Sequence, residues 1–151
     1  MEIRIDDLRG VEIARFLEEH LCDMRAVSPP ESKHALDLDG LRQPCITFWT
    51  LWDSGELLAC GALKELDAET GEVKSMRSRS NLRRTGLGSR MLVHLLAEAK
   101  RRRYKQLYLE TGAMPFFEPA RRLYLKHGFS YCGPFGSYRL DPNSVHMVLD
   151  L

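Results

Sequence analysis

The stretch from Glu72 to Ala99 constrains the fold most, because its periodicity changes from extended to helical partway along. It begins as Glu72-Val73-Lys74-Ser75-Met76-Arg77-Ser78 and turns through Arg79-Ser80-Asn81-Leu82 into Arg83-Arg84-Thr85-Gly86-Leu87-Gly88-Ser89. From there apolar residues at 87, 91, 92, 95, 96 and 99 recur at helical spacing and give one buried face. The stretch reads as strand, basic loop, glycine turn, helix. Gly86 and Gly88 remove side chains where the first helical amides have no partner. Those amides and the positive end of the helix dipole make an anion site, to which Arg83 and Arg84 add charge. The residues by themselves imply a phosphate-like ligand at a helix N-terminus.

A Walker-type loop requires Gly-Lys-Ser/Thr, which is absent from the chain. A dinucleotide fingerprint requires a third glycine where Met91 stands. The hexad Arg83-x-x-Gly86-x-Gly88 instead resembles the acyl-CoA pyrophosphate loop, Gln/Arg-x-x-Gly-x-Gly/Ala, of the GNAT acetyltransferase superfamily. Leu123-Tyr124-Leu125-Lys126-His127-Gly128-Phe129 resembles the Leu-Tyr-x-x-x-Gly-Phe helix end of the same superfamily, in the expected order and spacing. Ser28-Pro29-Pro30-Glu31-Ser32, His34-Ala35-Leu36-Asp37, Gly71 to Arg77, Leu109-Glu110-Thr111-Gly112 and Gly133-Pro134-Phe135 resemble one bacterial branch of N-acetyltransferases.

That resemblance covers nearly the whole chain. It implies an α/β fold of mixed α+β type: a GNAT-like, splayed sheet of about seven strands flanked by helices. Acetyl-CoA, as cosubstrate, would wedge between the fourth and fifth strands. Main-chain groups near Met76 and Ser78 would pair with the pantetheine arm. Arg83 and the amides of Arg84, Thr85, Gly86, Leu87, Gly88 and Ser89 would hold the pyrophosphate. Tyr124 resembles the tyrosine that stands beside the sulfur, where a phenol can protonate the leaving thiolate. Relatives often carry a pantetheine-holding Asn where this chain has Phe117, so that contact has no assigned replacement.

Composition bounds the remaining classes. At 151 residues, the chain is expected to be a single domain spanning 1–151 with room for a core. A hydrophobic content of 44% and a charged content of 28% are ordinary for a globular protein. The net charge of +1 gives no global field for nucleic acid or an anionic membrane. No apolar run approaches bilayer length and no signal-peptide core opens the chain, so the expected location is cytoplasmic. The four cysteines (Cys22, Cys45, Cys60, Cys132) lack Cys-x-x-Cys spacing and read as reduced, mostly buried thiols. No metal site is expected.

Taken in order, Met1 to Ile5 alternates as a first strand. Asp6 or Asp7 can cap a helix running to about Met24, with Val11, Ile13, Ala14, Phe16, Leu17 and Leu21 as its apolar positions. Ser28 to Ser32 breaks that helix, and Lys33 to Asp37 reads as a short second helix capped by Ser32. Cys45 to Asp53, a turn at Asp53-Ser54-Gly55-Glu56, and Leu57 to Leu66 read as a hairpin. With strand 72–78 they imply an antiparallel meander. The helix from Gly86 ends in Lys100-Arg101-Arg102-Arg103, cations that complement the negative helix end and stay in water. Gln106 to Thr111 reads as a strand parallel to 72–78. A helix from Phe117 or Glu118 presents Ala120, Leu123, Tyr124 and His127 on one face and stops at Gly128. Phe129 to Cys132 is a strand, Gly133 to Asn143 a loop, and Ser144 to Leu149 the strand that closes the sheet.

Acetyl transfer needs a neutral amine, hence a proton acceptor. Glu72 is the first candidate base, read either as catalytic or as a partner for Lys74; Glu110 is a weaker competitor, and His34 and His146 are others. The acceptor pocket is expected between Ser28 to Asp37 and Tyr138 to Ser144. There Ser32, His34, Tyr138 and Arg139 are the candidate ligands of a small-molecule amine, amino-acid-like if Arg139 meets a carboxylate. Two other classes compete. One is a CoA-binding module without transfer activity. The other is a nucleic-acid binder using Arg77, Arg79, Arg83, Arg84 and Arg101 to Arg103, disfavoured by the charge balance. The expected partners are therefore the acceptor alone, with no nucleic acid and no membrane, and the chain a monomer or homodimer.

Overall fold

The computed structural model describes residues 1–27, 38–79 and 85–151. In chain order the elements are β1 (Glu2–Ile5), α1 (Val11–Val27), α2 (Leu38–Leu41), β2 (Ile46–Asp53), β3 (Glu56–Glu65), β4 (Thr70–Ser78), α3 (Leu87–Arg101), β5 (Gln106–Gly112), a 3-10 turn (Pro115–Phe117), α4 (Glu118–Lys126), β6 (Ser130–Cys132) and β7 (Ser144–Asp150). The strands form one seven-stranded sheet in the order β1-β2-β3-β4-β5-β7-β6.

The first four strands run antiparallel; α1 and α2 lie between β1 and β2, and short turns join β2, β3 and β4. At the β2–β3 turn Ser54 and Gly55 both have positive φ (52° and 78°), the conformation that matches a hairpin turn to strand twist. β4 and β5 pair parallel, since a helix carries the chain back across the sheet between them. The expected closing strand does not lie at the edge. β7 inserts between β5 and β6, because it carries buried His146 and Met147 and pairs along its whole length with β5. The three-residue β6 is left outside, a short edge with little backbone to expose.

Two expectations about α1 change. The carboxylates of Asp6 and Asp7 accept the amides of Leu8 and Arg9, two residues on, and so make local turns before the helix. The helix itself starts at Val11, which is 65% exposed, and its described buried face is Ile13, Phe16 and Leu17. The short helix expected over Lys33 to Asp37, and its Ser32 cap, lie outside the described residues; α2 begins just after them.

Each face of the sheet has its own core. On one face α3 and α4 bury Met91, Leu92, Leu95, Tyr124 and Phe129 against Val73, Leu107, Leu109 and Met147. On the other, α1 and α2 cover only the β2–β3 half, with Ile13, Phe16, Leu17 and Leu41 over Ile46, Phe48, Cys60 and Ala62. Arg77 fastens α1 to β4: its guanidinium bonds Glu19 at 3.2 Å and lies 6.0 Å from the Phe16 ring. The thiols are less buried than expected, for only Cys60 is fully enclosed and Cys22 is exposed.

Strand register decides what the uncovered half of that second face displays. Lys64 stands opposite Glu72, Ala62 opposite Lys74, Glu72 opposite Tyr108 and Glu110 opposite His146. Directly paired residues share a face, so Lys64, Glu72, Lys74, Tyr108, Glu110 and His146 all point away from α3 and α4. The loop between β6 and β7 roofs them: Phe135 lies 4.8 Å from the Tyr108 ring, and Tyr138 5.4 Å from His146.

Candidate active site

The central strands fork. β4 and β5 share four rungs, from Thr70–Gln106 to Val73–Leu109, and then part. β5 continues to Gly112 against β7, and β4 continues to Ser78 against β3. A bulge turns β4 aside. Ala62 faces Lys74 and Cys60 faces Arg77, so β4 carries an extra residue there, and Ser75 takes a φ of 55°. Met76 and Ser78 lie on this departing segment. The Met76 side chain packs against the α3 core, leaving its backbone to face the fork. An extended segment with no strand beside it on the fork side, among the described residues, has amides and carbonyls ready to pair with an extended ligand.

α3 begins at the mouth of the fork. Gly86 takes a φ of 87°, a left-handed turn that sets Leu87 as the first helical residue. A Cβ on Gly88 would meet Leu123 Cδ2 at 3.2 Å, so α4 approaches α3 closely at this point. Ser89 Oγ lies 2.9 Å from His127 Nε2, which joins the first turn of α3 to the end of α4. Thr85 and Gly86 are exposed, and Arg83 and Arg84 lie outside the described residues. The exposed glycine start leaves the first turn of α3 with little side-chain cover over its amides.

Tyr124 on α4 and Glu110 on β5 approach the sheet from opposite faces, near enough for the Glu110 charge to act on the phenol. Tyr124 is 6% exposed, its ring set edge-on to Phe129 at 5.8 Å. Its hydroxyl makes no hydrogen bond among the described residues, and burial together with the Glu110 charge pushes its pKa up. Glu110 is the first β5 residue past the last rung. Burial raises its carboxyl to about 7, with the nearby Ser144 hydroxyl and Lys74 opposing the effect and the charges of Glu72 and Asp141 adding to it. Glu72 is 3% exposed and already engaged. Its Oε2 accepts the Tyr138 hydroxyl at 2.7 Å and the Lys74 ammonium at 3.1 Å, while Lys74 Nζ also donates to the Tyr138 oxygen at 3.1 Å.

Beside this knot lies a cleft of about 660 Å³, bounded by Lys64, Glu72 and Lys74 on the sheet and by the loop from Phe135 to Asn143. Tyr138 and Arg139 both line it, as the sequence suggested. Tyr138 does so with its ring, because its hydroxyl is turned in to Glu72. Arg139 forms no ion pair among the described residues. Ser32 and His34 lie outside the described residues. His146 is buried against Phe135 and Tyr138 and is not among the residues that line the cleft. Phe117 proves to be a filler: its ring occupies the space where a Cβ on Gly112 would sit, 2.1 Å from Cδ2. Arg121 holds the same corner by bonding the carbonyls of Gly112 and Met114.

Lys74 and Lys64 were missed as site residues. Lys74 had a local signal, since positions 72 and 74 of a strand share a face. Lys64 had none, because its place opposite Glu72 depends on register between strands.

Four of the cations that suggested nucleic acid are engaged within the fold. Arg77 is buried on Glu19, and Arg79 bonds the Leu57 carbonyl. Arg101 and Arg102 both bond Glu98, and Arg102 also reaches Thr47 and lies 5.7 Å from the Trp49 ring, so the helix end does not simply stay in water.

A forked mixed sheet with a glycine-led helix at the fork defines a class of acyl-CoA-dependent transferases. The chain belongs to the acetyltransferase (GNAT) family, whose profile matches residues 13–129. It is 52% identical to the uncharacterized N-acetyltransferase YsnE of Bacillus subtilis over the full length of both chains. It is 46% identical to the uncharacterized N-acetyltransferase YedL of Escherichia coli, over 99% of this chain and 94% of that one. Its fold superposes with a TM-score of 0.69 on a Bacillus subtilis acetyltransferase solved in complex with CoA, at 18% identity over 99% of this chain and 98% of that one. The protein is a GNAT-type N-acetyltransferase. Among the described residues, no helix is long and apolar enough to cross a membrane.

Proposed function

We propose that the chain moves an acetyl group directly from acetyl-CoA to the amine of a small, amino-acid-like molecule. The observation that carries this reading is the joint placement of Glu110 and Tyr124 at the point where β4 and β5 separate. The backbone of Met76 and Ser78 would hold the pantetheine arm as an added strand. Arg83 and the amides from Arg84 to Ser89 would hold the pyrophosphate.

Glu110 takes the role of proton acceptor in preference to Glu72. A carboxyl held near 7 is divided between its two forms at neutral pH, which suits a group that must accept and then release a proton. Glu72 instead fixes Lys74 and Tyr138, and its charge raises Glu110. The amine nitrogen, freed of its proton, bonds the acetyl carbon as the carbon–sulfur bond breaks. The thiolate then takes a proton from the Tyr124 hydroxyl, and solvent restores it. Arg139 meets the acceptor carboxylate.

Calorimetric titration with acetyl-CoA followed by an amine-panel screen tests the reading. Saturable binding and turnover of at least one amino acid or related amine is the expected result. Binding without turnover of any amine would leave a CoA-binding module, and absence of binding would remove the proposal altogether.

A further inference from the structure

The cleft carries two cations that the knot around Glu72 does not use. Lys64 rises from β3 on the sheet wall, and Arg139 projects from the loop wall. Lys64 stands directly opposite Glu72, yet Glu72 bonds Lys74 and Tyr138 instead. Neither Lys64 nor Arg139 has an ionic partner among the described residues. Asp141, the remaining acid of the cleft wall, accepts the Asn143 amide at 2.8 Å and forms no ion pair with either cation. A ligand entering therefore meets one positive group on each wall. The volume, about 660 Å³, lies within the roughly 300–1,000 Å³ typical of small-molecule sites and accommodates more than one carboxylate.

We infer that the acceptor carries two anionic groups, an amino dicarboxylate, with one carboxylate on Arg139 and the second on Lys64. The inference rests on the acetyl-transfer reading and narrows its acceptor class. Two separated cations set a distance between two anions, whereas a monoacid fills only one of them. Lys64 is then a specificity-determining residue, placed by the β3–β4 register beside the carboxylate that orders the knot.

The test uses the CoA-loaded protein and calorimetric binding of amino dicarboxylates from aspartate to aminopimelate, each matched with its side-chain amide. Diacid and amide are nearly the same shape and differ by one charge. The wild type is expected to bind at least one diacid about tenfold more tightly than its amide, the loss expected for a charge-assisted bond. Lys64→Gln should bring that ratio close to one, and Lys64→Arg should preserve it. Equal binding of every diacid and its amide, or a preference that Lys64→Gln leaves intact, overturns the inference. Acetyl transfer run on the same series separates this from the broader reading. Turnover of monoacids with no diacid preference sinks the second subsite alone. A Lys64-dependent preference without turnover of any amine keeps the subsite and sinks the transfer.

Discussion

Glu110 shows how one side chain can be set by its place in the sheet. Its carboxyl has an ordinary value of 4.5 and is raised to about 7, mainly by burial. A carboxyl raised on folding costs nothing below 4.5, where folded and unfolded chains both keep the proton. The cost grows as pH climbs from there and is complete above about 7, where it reaches about 3 kcal/mol. Glu110→Gln should therefore flatten the fall in stability across that window and exceed the wild type in urea melts at about pH 8. If Glu110 is the proton acceptor, kcat/KM of the wild type rises with a midpoint near 7 and the Gln variant loses roughly a hundredfold at the plateau. An unmoved profile in the variant would return the role to Glu72 or to water. Tyr124→Phe keeps the ring against Phe129 and removes only the hydroxyl. Acetyl-CoA affinity should hold while turnover falls about a hundredfold; an unchanged turnover with chemistry rate-limiting would leave Tyr124 as a core residue.

At the scale of elements, the fork depends on corners that glycine keeps open. Gly86 turns left-handed before α3 with nothing within 4 Å of where a Cβ would stand. Gly86→Asp thus meets backbone strain and places a carboxylate at the anion site, without a clash to unfold the chain. Acetyl-CoA binding should be nearly abolished while the circular dichroism spectrum is retained, and wild-type affinity in the folded variant would refute the site. Gly112 is the opposite case. Its restriction comes from Phe117, whose ring lies 2.1 Å from the position of an added Cβ. Gly112→Ala should displace that ring and destabilise the protein by roughly 1–3 kcal/mol, a loss that Phe117→Leu introduced alongside should partly reverse in denaturant titrations.

Across the whole molecule, the knot of Glu72, Lys74 and Tyr138 ties the β6–β7 loop to the central strand. Lys74→Met leaves a nearly inaccessible carboxylate without its cation, a loss of roughly 3–5 kcal/mol, visible as a melting point lower by about 10 °C. The double variant Glu72→Gln with Lys74→Met should recover much of it, because the stranded charge is gone. A double variant no more stable than Lys74→Met alone would mean the lysine stabilises by its packing instead.

Much of this architecture is local and was legible in the chain. The α3 face, the Ser54-Gly55 hairpin turn, the parallel β4–β5 pair and the α4 stop at Gly128 each follow from periodicity or turn chemistry within a few residues. So did the family, through two glycine- and tyrosine-bearing motifs that mark helix ends. Register, burial and charge coupling lie beyond that range. Which strand flanks β5 was decided by the apolar length of β7 against the three residues of β6. Whether Glu72 or Glu110 is poised to take a proton depends on which carboxylate is held by Lys74 and by Tyr138 of the β6–β7 loop and which is buried with less compensation. Lys64 joins the cleft only because β3 is paired with β4 in one register. The sequence by itself determined the elements and the helix start that fits a phosphate, because those rest on neighbours along the chain. The tertiary structure alone decided the surroundings of the two carboxylates and the two-cation cleft, because those rest on neighbours that only the folded sheet brings together.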